Sequence, residues 1–329
     1  MSLIEKFEKK GTWITYRPDI KVLDCTIRDG GLINNYKFEE DFVRAVYDTC
    51  VEIGVDYMEI GKIASPKVMS TEEFGPWNFC KEEDIRKVVG NNETSLKLAV
   101  MADIGRTFKE NIRPKEDSVI DMIRVAAYIH QIPAAIELIE DAHSKGYETT
   151  INLMAISKVS ETDLDEALNI FANTNVDVIY LVDSFGTYYS EQIHRLARKY
   201  LNIAEQVGKK VGIHAHNNQQ LAYANTIESL IMGTSYLDAT VYGLGRGAGN
   251  CPLELLMGFL KNPKYNIVPL LKLIEEYVKP LHSEINWGYD IPYMLVGQLN
   301  EHPRTAIEFI KNDEKDFVKL HNTLLDMQA

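Results

Sequence analysis

Short apolar, β-branched runs recur along the chain, and most are followed by a longer segment whose apolar positions fall three or four residues apart. The runs predict strands at residues 22–27, 57–60, 96–101, 120–125, 149–154, 178–182, 211–214 and 237–241. Several are apolar almost throughout. Val178-Ile179-Tyr180-Leu181-Val182 is the clearest, and such a run suits a strand covered on both faces. The longer segments predict helices. Residues 38–54 carry Phe42, Val43, Val46 and Cys50 at helical spacing and stop at Gly54, a left-handed C-cap; residues 134–145 stop at Gly146 in the same way. Residues 163–171 and 191–207 follow. Asn217 or Asn218 then caps a helix whose apolar face is Leu221, Ala224, Ile227 and Ile231 and which ends at Gly233.

Eight strands alternating with helices over about 250 residues predict an α/β fold of the (β/α)8, or TIM-barrel, kind. A doubly wound open sheet is the rival, but eight parallel strands in this length favour closure. From about Asn262 onward the strand pattern stops. Residues 267–278, 305–310 and 314–325 read as helices, with the aromatic stretch Asn286-Trp287-Gly288-Tyr289-Asp290-Ile291-Pro292-Tyr293 among them. The expected organisation is a barrel over residues 1–262 and a helical extension over 263–329, packed on the barrel or on a second subunit.

Composition agrees with one large folded unit. The 329 residues are 45% hydrophobic and 25% charged, enough apolar material for a packed core. Lys and Arg number 35 against 48 Asp and Glu, a formal charge of −13 that repels nucleic acid and anionic membrane surfaces. Apolar runs such as 178–182 and 255–260 are too short to cross a bilayer. Residues 1–10 are charged and lack an apolar stretch, so no secretory signal is expected. Cys25, Cys50, Cys80 and Cys251 form no C-x-x-C pair, which fits a reduced, cytoplasmic protein better than a disulfide scaffold or a thiolate zinc site.

Chemistry in such barrels sits at the C-terminal ends of the strands, and four segments there hold unusual polar residues. After the first strand, Arg28 and Asp29 precede Gly30-Gly31, read as a tight turn beside a ligand or as a surface ion pair on a glycine turn. At the end of the seventh, His214 and His216 are two apart and so face one space, a spacing that suits a divalent cation. After the eighth comes Gly243-Leu244-Gly245-Arg246-Gly247-Ala248-Gly249-Asn250. It fits a loose dinucleotide fingerprint at Gly243, Gly245 and Ala248, but it follows a last strand and has no acid about 20 residues on; a loop that approaches a ligand and delivers Asn250 is the better reading. After the sixth, Asp183-Ser184-Phe185-Gly186-Thr187 offers an acid and two hydroxyls for substrate, or for capping the next helix.

Together these segments resemble the metal-dependent aldolase and Claisen-condensing barrel family, which includes 4-hydroxy-2-oxovalerate aldolases, hydroxymethylglutaryl-CoA lyases and the isopropylmalate and homocitrate synthases. The matching pieces are Asp24-x-Thr26-x-Arg28-Asp29-Gly30, His214-x-His216-Asn217 and Gly-x-Gly-x-Gly-x-Gly-Asn250-x-Pro252, spread over residues 20–260. The closest likeness is to the hydroxy-oxovalerate aldolases. The resemblance implies that Asp29, His214 and His216, with Asn250, hold a divalent metal, Mn²⁺ or Mg²⁺ before Co²⁺ or Zn²⁺, and that Arg28 is catalytic, stabilising a pyruvate enolate. The donor set is itself one that such cations accept. Thr26, Glu59, Asp183, Ser184 and Tyr289 are candidate substrate contacts.

The chain also departs from that pattern. The aldolases carry a histidine base three residues after the metal-binding aspartate, and here that position is Leu32. Candidate replacements are Tyr289, Tyr293, His302, Tyr242, Asp183 or a metal-bound water. The aromatic tail either covers the barrel mouth or glues the extension to the barrel. The expected function is a metal-dependent lyase that cleaves or forms a carbon–carbon bond in a 4-hydroxy-2-oxo acid. The alternatives are an acyl-CoA-condensing transferase and a degenerate, non-catalytic binding protein. A small 2-oxo acid is the expected partner, a homo-oligomer the family expectation, with neither nucleic acid nor membrane.

Overall fold

The computed structural model describes residues 18–260 and 262–328. Eight parallel strands close in sequence order, β8 pairing back to β1. They are β1 (Lys21–Asp24), β2 (Tyr57–Lys62), β3 (Lys97–Asp103), β4 (Met122–Ala127), β5 (Glu148–Leu153), β6 (Val178–Asp183), β7 (Lys210–Ala215) and β8 (Tyr236–Ala239). Around them lie α1 (Thr26–Asn34), α2 (Glu40–Ile53), α3 (Glu82–Val89), α4 (Ile132–Ser144), α5 (Glu161–Ala172), α6 (Ser190–Gln206), α7 (Ala222–Met232) and α8 (Leu253–Leu260). The expected (β/α)8 barrel is the fold. Between β3 and β4 two short 3-10 turns, Lys109–Asn111 and Lys115–Asp117, stand where a barrel helix usually lies.

The first strand departs most from its expected span. It stops at Asp24, and Thr26 and Ile27, whose β-branched side chains read as strand, open α1 instead. The Asp24 carboxylate accepts the Thr26 backbone N–H (3.2 Å) and the Thr26 hydroxyl, which turns the chain there. Gly30 and Gly31 therefore form no turn. They lie inside a helix because side chains would not fit: a Cβ on Gly30 would come 1.8 Å from Leu244 Cδ2, and one on Gly31 2.1 Å from the Tyr36 ring.

Alternate residues of each strand fill the barrel interior. At the N-terminal floor, the Tyr57 and Tyr236 hydroxyls donate to Glu148 (2.8 and 3.0 Å). Above them, Leu23, Ala99 and Met122 pack with Tyr57, and Tyr180 with Val178 and Val182. Gly212 makes room for the Tyr180 ring, which would lie 2.6 Å from a Cβ there. Outward-facing strand residues join the helices in the main core.

That core runs further along the chain than residue 262. Leu270 and Leu273 of α9 (Ile267–Leu273), Ile274 and Val278 of the π-turn that follows, and Trp287 all belong to it, while α10 (Lys279–Glu284) buries no residue fully. A second small core forms among α11 (Ile291–Gln298), α12 (Arg304–Lys311) and α13 (Phe317–Asp326), from Leu295, Val296, Ala306, Phe309, Leu320 and Leu324. It docks on the barrel top. Thr187 Oγ1 donates to the Gly297 carbonyl (2.6 Å), Asn300 Nδ2 to the Ser157 carbonyl (3.0 Å), and Lys158 pairs with Glu301 (2.6 Å). Among the described residues no helix is long and apolar enough to cross a membrane. All four cysteines are buried and free. Residues 1–10, where no secretory signal was expected, lie outside the described residues.

Candidate active site at the barrel mouth

A closed chain of charged side chains lies across the upper barrel. Arg28 Nε donates to Glu59 (2.7 Å), and the same Glu59 oxygen pairs with Arg124 (2.9 Å). Arg124 reaches Asp238 (2.5 Å), Asp238 accepts from His214 Nδ1 (2.9 Å), and His214 Nε2 stands 3.2 Å from Asp29. Asp29 lies 3.5 Å from Arg28 and so completes the circuit. The Arg124 guanidinium also lies over the Tyr180 ring, 4.5 Å from its centre. Burial works against both aspartates, but opposite neighbours win: Arg124 and His214 hold the Asp238 carboxyl down to about 2, and Arg28 and His214 hold Asp29 well below the usual carboxylate range.

Asp29, His214 and His216 each offer a ligand atom within 4.8 Å of the others. The two rings stand edge to face with centres 5.0 Å apart. The Asn250 backbone forms an antiparallel bridge with His216, and its side-chain amide donates to the Leu244 carbonyl (3.2 Å). The buried Asp29 oxygens and His214 Nε2 meet only each other and Arg28, at ion-pair distances, and the buried Asn250 Oδ1 has no hydrogen-bond partner. Buried polar atoms are seldom left under-satisfied, and the carboxylate and two imidazoles form a donor set that could hold a divalent cation. The His214 Nδ1 proton goes to Asp238, which turns Nε2 toward Asp29. Burial first, and then Arg246 and His214, hold the His216 pKa well below its ordinary value against the pull of Asp29, so that ring is neutral. Cys25, His214 and Asp238 also lie close together, but there His214 and Asp238 already bind each other, and Arg124 donates to both Asp238 and the Cys25 sulfur.

The cluster opens into a cavity of about 470 Å³ at the C-terminal ends of the strands, lined among others by Arg28, Leu32, Lys62, Asp103, Arg106 and Tyr128, and on its other side by Ser184, His214, His216, Arg246, His302 and Arg304. Lys62 and Asp103 form a buried pair (2.6 Å) in which each keeps the other ionised against burial. A register shift between Glu59 and Gly61 explains how Glu59 and Lys62, three apart on one strand, both face inward. Ser184 lines the wall, its Oγ accepting the Ala155 N–H (2.9 Å) and its carbonyl the Arg246 guanidinium (3.0 Å).

Other expected contacts are engaged elsewhere. Glu59 holds two arginines. Thr26 Oγ1 donates to Asp24 and accepts the Val241 N–H (2.8 Å), joining the tops of β1 and β8. Asp183 accepts the N–H groups of Thr187 (3.0 Å) and Tyr188 (3.3 Å), and so shapes its own loop. Tyr289 is 59% exposed. Tyr242 sits edge-on to His282 and Trp287, and the Trp287 indole donates to its carbonyl (3.2 Å): this part of the tail is glue, not a cover. His302, from the loop before α12, is the tail candidate that reaches the cavity. Its Nδ1 accepts the Arg304 N–H (3.0 Å), and burial with Arg246 and Arg304 pushes its pKa down to about 4. The neutral ring thus presents an N–H donor through Nε2. Arg124, Asp238, Lys62, Asp103 and Arg246 were not foreseen.

The HMGL-like family profile matches residues 19–275. An oxaloacetate decarboxylase of Mycobacterium tuberculosis is 32% identical over 252 residues, 75% of this chain and 71% of its own length. A 4-hydroxy-2-oxovalerate aldolase of Thermus thermophilus is 27% identical over 271 residues, 81% of this chain and 77% of its own. Among solved structures, an aldolase-type N-terminal domain from Bacteroides vulgatus superposes with a TM-score of 0.75 at 28% identity, covering 88% of this chain and 96% of that one.

Proposed function

Since the chain belongs to the HMGL-like family and is an enzyme of the lyase type, we propose that it breaks the C3–C4 bond of a 4-hydroxy-2-oxo acid, releasing pyruvate and an aldehyde. The observation that carries this reading is the buried cluster of Asp29, His214 and His216, each offering a ligand atom within 4.8 Å of the others, with both histidines lining an open cavity. Asp29, His214, His216 and Asn250 would hold a divalent cation, Mn²⁺ or Mg²⁺ first, which supplies Lewis-acid polarisation of the 2-oxo carbonyl. Arg28 lines the same cavity with its Nε fixed on Glu59 and its Nη1 3.5 Å from Asp29, which aims the guanidinium to hold the negative charge that develops on the oxo oxygen as the bond breaks. Arginine suits this role because it stays ionised and its fork is rigid. Glu59 and Asp238 position Arg28 and His214, and Arg124 locks the two acids together.

Aldol cleavage also needs a proton removed from the 4-hydroxyl, and Leu32 at the position of the family's histidine cannot do it. That favours a second reading, decarboxylation of a 2-oxo dicarboxylate, in which the same charge develops but no hydroxyl proton must leave; the relative named as an oxaloacetate decarboxylase supports it. The test common to both readings is exchange of pyruvate methyl protons for deuterium with added Mn²⁺, read by NMR. Exchange is expected, and Asp29→Asn should abolish it together with Mn²⁺ binding followed by electron paramagnetic resonance. No exchange with any of several divalent metals would overturn the proposal. Pyruvate release from 4-hydroxy-2-oxo acids against carbon dioxide release from oxaloacetate then separates the two.

A further inference from the structure

The cavity carries more positive charge than holding pyruvate requires. Arg28, Lys62, Arg106, Arg246 and Arg304 line it against one lining carboxylate, Asp103, in a chain of net charge −13. Three of these cations are accounted for. Arg28 is bound to Glu59, while Lys62 and Arg106 share Asp103 at 2.6 and 3.6 Å. Arg246 is different. Its Nη2 donates to the Ser184 carbonyl (3.0 Å), its Nε is buried with no partner, and it makes no ion pair among the described residues. It lines one cavity with His216 of the cluster and with His302 and Arg304 of the α12 rim, and Arg304 is also without an ion pair among the described residues.

Arg246 is also held rigidly. Gly249 N–H donates to its carbonyl (3.1 Å), the Gly249 carbonyl accepts the Asn217 N–H (2.8 Å), and Gly288 N–H binds the carbonyl of Gly247 (3.1 Å). A guanidinium fixed in a wall with an unmet N–H is a ready-made seat for an anion, and a cavity of about 470 Å³ has room beyond a three-carbon unit.

We propose that Arg246, with Arg304 at the rim and the His302 Nε2–H beside it, receives a second anionic group on the substrate. The natural substrate is then a 4-hydroxy-2-oxo acid whose far end carries a carboxylate or a phosphate. This rests on the aldol reading above for the bond that breaks, but the anion seat itself does not require catalysis.

Two measurements test it. The first compares kcat/KM for 4-hydroxy-2-oxo acids of matched length ending in a methyl, a carboxylate or a phosphate. One charged end should exceed the methyl end by about tenfold or more, the worth of a charge-assisted hydrogen bond, and shows which anion is meant; in Arg246→Gln that ratio should fall toward one, whatever happens to the absolute rates. Equal values for all three ends, or an unchanged ratio in the variant, would overturn the proposal. The second uses chelator-treated protein and needs no turnover: glutarate or inorganic phosphate should raise the melting temperature of the wild type and not of Arg246→Gln. If no 2-oxo acid is cleaved, this second measurement decides alone, and a melting temperature unmoved by either anion rejects the seat. Failure of pyruvate exchange with the thermal shift intact would reject the reaction and leave the seat standing.

Discussion

Glu59 is the single acceptor on which two buried arginines converge, and its replacement by glutamine keeps the shape while removing the charge. Arg124, fully buried, would keep only Asp238, and Arg28 would lose the group that aims it. Breaking a buried ion pair from one side costs about 3–5 kcal/mol. Urea unfolding of Glu59→Gln should show a loss of that order, and kcat for pyruvate exchange should fall in the fraction that still folds; a variant as stable and as active as the wild type would contradict the circuit. At this scale the sequence shows the residues whose spacing carries meaning. Arg28 and Asp29 stand together after a strand, His214 and His216 stand two apart, and the structure brings Asp29 and both imidazoles within reach of one another. Arg124 and Asp238 left a fainter sign, a charge inside the otherwise apolar runs that became β4 and β8. Lys62 left almost none, because only a shifted register turns it inward. Arg246 looked like one more residue of a glycine loop; its lack of an ion pair among the described residues is a property of space, not of order.

Among the elements, the β8–α8 loop depends most on glycine. Gly249 sits at φ +84°, and a Cβ there would meet the Gly243 carbonyl oxygen at 2.1 Å. Gly249→Ala should displace Asn250 and Arg246 together, weaken Mn²⁺ binding by calorimetry and lower the melting temperature. Gly258 is the contrast. It lies inside α8, exposed, with nothing within 4 Å of an added Cβ, so Gly258→Ala should stabilise by about 0.5–1 kcal/mol without touching metal binding. The strands and the main helices were legible as elements because period and length agree over many residues. The end of β1 was not, because two β-branched residues outvoted a turn made by one aspartate. The glycines after it were read as a bend when packing against Leu244 and Tyr36 is what demands them.

For the whole molecule the buried carboxyls set a pH profile. Burial pushes Asp24 and Asp183 up to about 7. From about pH 4 to 7 the native state therefore holds protons that the unfolded chain has released, and these two groups make stability fall as pH rises through that window. Asp29, Asp103 and Asp238 act with the opposite sign: their contribution is present above the ordinary carboxylate range and is lost as pH drops below it. His216 and His302, held neutral by burial, offset the two raised aspartates below about pH 6.5, so melting temperatures should decline mainly above it, and Asp24→Asn should flatten that decline; an unchanged slope would count against a protonated Asp24. The barrel itself was legible from eight repeats of one pattern, whereas the division of the extension into a part fused with the barrel core and a separate small core was hidden, since all of it reads as amphipathic helix. That division bears on biogenesis. Residues through Trp287 complete the main core, yet His302 and Arg304 reach the cavity only once the next helices have left the ribosome and settled on the barrel. A nascent chain thus has a stage at which the barrel can close while its mouth still lacks a rim.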